Sequence, residues 1–414
     1  MANNNKHAGP NVPALRFPEF SGEWEQCQIK DFGKVITGST PPTSKTEYYD
    51  NGEFLWASPA DLGNVKDVVS TKTKLSQQGF DKCRKIPAHS ILVTCIGSTI
   101  GKMGMATTEM ATNQQINSII PIDCSPDYVY YSIQSRFPKY ITSIATQAVP
   151  ILSKSVFESL DSYKTSIEEQ NKIGKLLHLL DERIDAQSKI IEELTTLRSA
   201  LYDSIFCSPR QEMPKFRIQS FTGKWQLCKL NEICSRKSIK NKDNLDSRVL
   251  TIAAQHGLVD QESFFKKRIA SENLESYLCL EKGDFAYNKS YSSDYPWGAV
   301  KRLSYFDKGI ISPLYICFTP KPEVVDPDYL AHYFESTKWH SGISEISGEG
   351  ARNHGLLNMS VIDYFNTCHR IPGLDEQKAI ARRLNTIAHK LQTEQEYLEL
   401  LNRQKDCFLK QMFI

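Results

Sequence analysis

Two stretches of this 414-residue chain have residue types whose spacing comes close to known chemistry. Asp326-Pro327-Asp328-Tyr329 is similar to the Asp-Pro-Pro-Tyr motif of adenine methyltransferases. That reading fails. A matching stretch earlier in the chain, Ser125-Pro126-Asp127-Tyr128, lacks the first acid, both copies sit where a helix should start, and no glycine-rich loop for S-adenosylmethionine accompanies them. Gly97-Ser98-Thr99-Ile100-Gly101-Lys102 has a faint likeness to a phosphate-binding loop. Such a loop needs four residues between its glycines and a Ser or Thr after the Lys; here there are three, and Met103 follows. It reads as a turn between strands. The 9 histidines form no His-Glu-x-x-His pair and the 11 cysteines no Cys-x-x-Cys pair, so neither zinc catalysis nor a structural zinc site is expected. No carboxylate-lysine cluster of a nuclease is evident either. The chain is therefore expected to be non-catalytic and to hold no metal, and its scattered thiols fit a reducing cytoplasm.

The elements that would position any site are more telling. At offset 201, Phe20-Ser21-Gly22-Glu23-Trp24 matches Phe221-Thr222-Gly223-Lys224-Trp225, Cys27 matches Cys228, and Pro126-Asp127-Tyr128 matches Pro327-Asp328-Tyr329. At offset 205, Leu152-Ser153-Lys154-Ser155-Val156 matches Leu357-Asn358-Met359-Ser360-Val361, and at offset 207 the stretch 166–206 matches 373–413. The landmarks keep their order, so the chain is a duplicated unit of globular domain plus helix.

Both helical stretches open on an acid-Glu-Gln start, Glu168-Glu169-Gln170 and Asp375-Glu376-Gln377. Apolar residues then recur with heptad spacing: Ile173, Leu177, Leu180, Ile184, Ile191, Leu194, Leu201 and Ile205, and Ile380, Leu384, Ile387, Leu391, Leu398, Leu401, Phe408 and Met412. Such stripes require burial, and each is the obvious partner of the other. Two-fold related halves make the pair antiparallel. Polar residues interrupt both stripes at matching points, Gln187 with Glu394 and Arg198 with Lys405, which suits a register device. The remainder of each half reads as mixed α/β, with strands expected at 54–57, 90–95 and 117–122 and at 249–253, 285–288 and 314–318, and a short helix at each Pro-Asp-Tyr. The fold class is α+β: two tandem mixed α/β domains separated by two long helices packed as an antiparallel coiled coil, with pseudo-two-fold symmetry.

Composition bounds the class. Hydrophobic content of 40% and charged content of 24% are those of a soluble globular protein. The opening MANNNKHAGP has no apolar core of a signal peptide, and no run reaches the ~18–20 apolar residues of a membrane span. Net charge is +2; Lys+Arg minus Asp+Glu is 0 over 1–161, −2 over 162–209, +3 over 210–370 and +1 over 371–414. Any nucleic-acid footprint must be a local patch.

The order domain, long helix, domain, long helix resembles the specificity subunit of type I restriction-modification systems. The residues that carry the resemblance are Glu169-Gln170 and Glu376-Gln377 opening the helices, Trp24 and Trp225 opening the domains, and the segments 38–62 and 283–303. It covers nearly the whole chain. The resemblance implies target recognition domains at 1–162 and 209–371, each reading half of a split DNA site, and spacer helices at 163–208 and 372–414. It implies no catalysis and no cofactor on this chain. Two modification (methyltransferase) subunits would methylate adenine and two restriction (motor-nuclease) subunits would cleave, with S-adenosylmethionine, ATP and Mg on those partners. The other class of function open to this architecture is a coiled-coil scaffold that presents two protein-binding domains.

Base readout needs Arg, Lys, Asn, Gln, Ser or Thr on loops, and phosphate contacts need cations. Candidates in the first domain are Thr94, Ser98 and Lys102, the polar run Asn113-Gln114-Gln115, and Gln147. In the second they are Gln255 and His256, the basic run Lys266-Lys267-Arg268, Asn288, Lys289 and Tyr291, and Arg352-Asn353-His354.

Overall fold

The computed structural model describes residues 11–63, 65–144, 151–242, 246–253, 257–267, 273–347 and 355–414. The chain folds as two compact units, one made of Met1–Ile190 with Glu394–Ile414 and the other of Ile191–Thr393.

In the first unit, β1 (Glu25–Gln28), β2 (Gly33–Thr37), β3 (Phe54–Ala57), β4 (Asp67–Val68), β5 (Thr73–Leu75), β6 (Lys85–Ile86), β7 (Ile91–Thr94), β8 (Met103–Ala106), β9 (Met110–Thr112), β10 (Ile116–Pro121) and β11 (Asp161–Lys164) follow in order. They form a five-stranded sheet β2-β10-β7-β8-β4, a four-stranded sheet β5-β3-β9-β6 and the pair β1-β11. The β7 and β8 side chains are all buried, as expected of strands covered on both faces. Gly97 and Gly101, at φ of 93° and 91°, turn the chain between them. The phosphate-loop lookalike is thus a hairpin turn. A side chain at Gly101 would run into the Phe137 ring.

The second unit repeats the plan with β12 (Gln226–Lys229), β13 (Cys234–Arg236), β14 (Val249–Ala253), β15 (Gly257–Asp260), β16 (Leu278–Glu281), β17 (Phe285–Asn288), β18 (Ala299–Arg302), β19 (Lys308–Ile311), β20 (Ile316–Pro320) and β21 (Cys368–Ile371). The sheets are β13-β20-β17-β18, β15-β14-β19-β16 and β12-β21. β14 runs parallel to β19 as β3 does to β9. Three strand limits differ from the sequence expectation: Ile91–Thr94 for 90–95, Ile116–Pro121 for 117–122 and Ile316–Pro320 for 314–318. In the last case Leu314 is 67% exposed, on a turn closed by the Tyr315 amide to Ser312. Helices begin at both Pro-Asp-Tyr stretches, Pro126–Ile144 and Pro327–Glu335, where proline suits the first helical position.

The heptad stretches form two long helices, Ile167–Ile205 and Leu374–Gln411. Inside the first unit they run antiparallel. Asp181 accepts from Lys405 Nζ at 2.6 Å, the Arg183 guanidinium lies 5.3 Å from the Tyr397 ring centre, and Gln187 Nε2 donates to the Glu394 carbonyl at 3.0 Å and to its carboxylate. Ile173, Leu177, Leu180, Leu391 and Leu401 are buried and Ile184, Ile191, Leu194, Ile387 and Leu398 half-buried. Ile173 and Leu177 join Trp24, Phe32 and Tyr128 in the first core, along with Leu409 from the last turn of the second helix and Met412 and Phe413 just beyond it. In the second unit Tyr202 and Phe206, at the end of the first helix, share a core with Ile380, Ala381 and Leu384 at the start of the second.

Candidate nucleic-acid interface

The Glu-Gln pairs explain how each domain is seated on its helix. Glu169 is almost fully buried and takes two hydrogen bonds from Arg16, at 2.7 and 2.8 Å. Glu376 takes two from Arg217, at 2.8 and 2.7 Å. Planar guanidinium and carboxylate groups match in this bidentate way. The same arginines also bond the Gly22 and Gly223 carbonyls, so each ties the turn before Trp24 or Trp225 to the helix. The two halves differ at the tryptophan: Trp225 Nε1 donates to Glu376 at 3.3 Å, whereas Trp24 Nε1 is buried with no hydrogen-bond partner among the described residues. Gln170 and Gln377 accept from the Ser125 and Asp326 amides, at 3.1 and 2.8 Å, and donate to the Thr165 and Pro372 carbonyls. These signature residues are therefore anchors of the fold.

The methyltransferase-like stretch is likewise occupied by structural roles. Asp326 caps its helix through the Tyr329 amide, at 2.9 Å, and Tyr329 is fully buried. Asp328 is held by Arg302 and Asn385. Burial pushes its carboxyl up, but those hydrogen bonds outweigh it and keep it below the ordinary value.

The first unit gathers three polar loops. The Ser39 amide donates to Thr112, Gly38 to Ile116 and Cys95 to Gln115, drawing 38–40, 95–98 and 112–116 together. Thr40 donates its hydroxyl to Gln114. Arg84 joins them, its guanidinium donating to the Thr37 carbonyl at 2.7 Å and its amide to Ser39 Oγ at 3.0 Å. Ser98, Gln114 and Arg84 are exposed, and Asn113, Gln115 and Thr40 half-buried. Asn113 spends its carbonyl oxygen on the Gln115 amide. This edge offers amide, hydroxyl and guanidinium groups side by side, the donors and acceptors that read base edges. Thr94 does not belong to it. The residue is completely buried, so it cannot reach a base, and its candidacy is withdrawn. Lys102 instead lines a cleft of about 750 Å³ with Lys66, Asp181 and Lys405.

In the second unit Asn288 and Lys289 are half-buried and Tyr291 is 45% exposed. Asn288 accepts from the Ser290 amide at 3.0 Å, and Tyr291 donates its amide to Gly355 at 2.8 Å. The bridges Ser290 to Leu356 and Ile96 to Ile151 pair the strand-end loops in the same way in both units. Tyr287 is buried, stacked 4.6 Å from Tyr364, and takes no part in the edge. Lys266 and Lys267 are exposed just after the short helix Gln261–Phe265, beside the exposed rings of Phe264 and Phe265. Gln147, Gln255, His256, Arg268, Arg352, Asn353 and His354 lie outside the described residues. Sequence reasoning missed Thr40 and Arg84. Thr40 sits in the family-like segment 38–62, but Arg84 carries no signal, because its partners lie 45 and 47 positions away.

Among the described residues no cluster of His, Cys, Asp and Glu could hold a metal ion, and no helix is long and apolar enough to cross a membrane.

The type I restriction modification DNA specificity domain matches residues 21–196. Over 300 residues the chain is 27% identical to the type I restriction enzyme MjaIX specificity subunit of Methanocaldococcus jannaschii, a match covering 70% of this chain and 65% of that relative, less than two thirds of its length. It is 24% identical to the MjaVIII specificity subunit of the same organism, over 94% of this chain and 91% of the relative. The HindI specificity subunit of Haemophilus influenzae is 33% identical over 43% of this chain and 40% of its own length. Among solved structures, the S subunit from M. genitalium superposes with a TM-score of 0.62 at 15% identity, over 97% of this chain and 99% of the other, so the fold is shared end to end. Residues 21–196 thus match a type I restriction modification DNA specificity domain, and most of the chain is similar to type I restriction enzyme specificity subunits.

Proposed function

We propose that this chain reads an asymmetric, bipartite DNA sequence and directs partner subunits to it. Residues 1–162 and 209–371 are the target recognition domains, and 163–208 and 372–414 the spacers. The observation that carries this reading is the contrast between the two kinds of residue in each repeat. The anchors Arg16, Glu169 and Gln170 recur as Arg217, Glu376 and Gln377, whereas equivalent loops differ: Ile96-Gly97-Ser98 after β7 against Ser290-Tyr291-Ser292 after β17, and Asn113-Gln114-Gln115 after β9 against Ser312-Pro313-Leu314 after β19. A repeated mount with unlike reading surfaces suits two unlike half-sites. DNA half-sites one turn apart are ~34–36 Å from each other, and a helix of 39 residues spans roughly 60 Å, so the spacers are long enough to set a gap.

The chain contributes no catalysis. Two modification subunits carry out adenine methylation with S-adenosylmethionine, and two restriction subunits use ATP and Mg, all in the cytoplasm. Sequencing the methylome of a host with and without this chain tests the reading. The expected result is loss of one adenine-methylation motif with two short, different half-sites and a fixed gap. An unchanged methylome, together with no DNA retained in a gel shift by the chain and its modification subunits, sinks it and favours a protein-binding scaffold.

A further inference from the structure

In each unit a three-way polar contact joins the reading sheet, the Pro-Asp-Tyr helix and a long helix. In the first, Lys66 Nζ lies 2.7 Å from Asp127 Oδ1 and also meets His178 Nδ1. Lys66 is buried, and its carbonyl accepts the Met105 amide of β8, the strand that leaves the Gly97 turn. In the second, Arg302, at the end of β18, reaches Asp328 Oδ1 at 2.5 Å, and Asn385 Nδ2 donates to Asp328 Oδ2 at 3.0 Å. Asn385 Oδ1 in turn bonds His332 Nε2 at 2.7 Å, and His332 Nδ1 bonds the Tyr202 hydroxyl at 2.8 Å.

Asp127 and Asp328 are repeat counterparts, and His178 and Asn385 occupy the same position of the two long helices. The cations are not counterparts. One comes from the segment before β4 and the other from β18. A contact merely inherited through duplication would keep one source for its cation. Here the link has been kept while its parts changed, which points to a requirement for the link itself. Stability alone does not account for it: Lys66 is buried beside Asp127, but Asp127 and Asp328 are themselves 32% and 45% exposed, and the apolar cores already hold each domain on its helix. A directional contact at the rim of an apolar seat instead fixes the angle at which the domain leans.

Building on the proposed function, we infer that Asp127, which holds Lys66 against His178, and Asp328, which Asn385 contacts directly, are positioning residues: each locks the tilt of its recognition domain on the spacer helix and so holds the gap between half-sites to one value. The test uses the full chain assembled with its modification subunits, and duplexes carrying the motif found by methylome sequencing at the native gap and at one base pair shorter and longer. The readout is the methylation rate at altered gaps relative to the native gap. Asp127→Ala and Asp328→Ala should relax that discrimination by about ten-fold, a modest part of what a small misplacement can cost in rate, while half-site choice stays unchanged; the melting temperature should fall modestly, more for Asp127→Ala, which strands buried Lys66. The isosteric Asp127→Asn and Asp328→Asn should do the same, which guards against a folding defect in the alanine variants. Exchanges that borrow the other half's residue, Lys66→Arg, His178→Asn and Asn385→His, should keep wild-type discrimination. Strict gap preference in all the Asp variants, or equal loss in the exchanges, overturns the proposal. A wild-type complex with no bipartite motif overturns the reading of function and the proposal with it, an outcome distinct from a variant-specific failure.

Discussion

At the scale of single residues, the most consequential contacts are those between positions far apart in sequence. Arg217 and Glu376 are 159 residues apart and almost buried. Removing one partner strands the other, so Arg217→Ala should cost about 3 kcal/mol in denaturant unfolding, and Arg16→Ala a similar amount. The Glu-Gln motif was legible because it repeats. Its role was not: Arg16 and Arg217 repeat as well, at offset 201, but nothing in sequence pairs them with glutamates 153 and 159 positions away. His369 gives a pH signature. Burial pulls its imidazole from 6.5 to about 4, while Tyr333 and Thr367 hydrogen-bond its nitrogens. A folded-state value below the unfolded one means that its contribution is complete above pH 6.5 and is lost as pH falls toward 4. Melting curves should record a loss on the order of 3 kcal/mol from His369 across that window, to which His340, pulled by burial to about 4 as well, adds its own, and His369→Gln should remove the His369 share. Reading residues are harder to find, because exposed polar loops obey no period. Arg84→Ala and Gln114→Ala should weaken methylation of one half-site without moving the melting temperature, each good base contact supplying about 1–3 kcal/mol of discrimination. Kinetics on duplexes mutated in one half-site would check this.

At the scale of elements, the long helices were the most legible part of the chain. A heptad stripe is a periodic signal, and the boundaries found, Ile167–Ile205 and Leu374–Gln411, lie within two residues of the repeated stretches. The strands were less exact, since a short buried run such as Ile91–Thr94 has no alternation to mark its ends. The polar breaks in the stripe have a concrete use. Gln187 and Glu394 bond each other, and Lys405 pairs with Asp181 across the helix pair, so a one-heptad slip would bury these groups unpaired. Replacing both members, Gln187→Leu with Glu394→Leu, should raise the melting temperature while loosening the register. Spin labels at positions 183 and 397 would show the loosening as a broadened distance distribution.

At the scale of the whole molecule, repetition made the architecture readable, while the DNA sequence that the proposed function calls for stayed hidden, because the loops that would read it do not repeat. Adding one heptad to each long helix lengthens it by about 10 Å. At ~3.4 Å per base pair along one strand, the methylated motif should keep both half-sites and widen its gap by about three base pairs, as methylome sequencing would record.

The first unit is not contiguous: Met412 and Phe413 pack against the core around Trp24 and Tyr128, and the unit resumes only at Glu394 after leaving off at Ile190. A ribosome adding ~5–20 residues per second needs about 10–40 s to make the 203 residues from 191 to 393 that intervene. During that time Trp24, Tyr128, Ile173 and Leu177 wait for their last partners. The unit begun before the other is therefore completed after it. A nonsense mutation shortly before Met412 would damage the unit around Trp24, nearly 400 residues earlier, leaving an apolar surface open to chaperones and proteases.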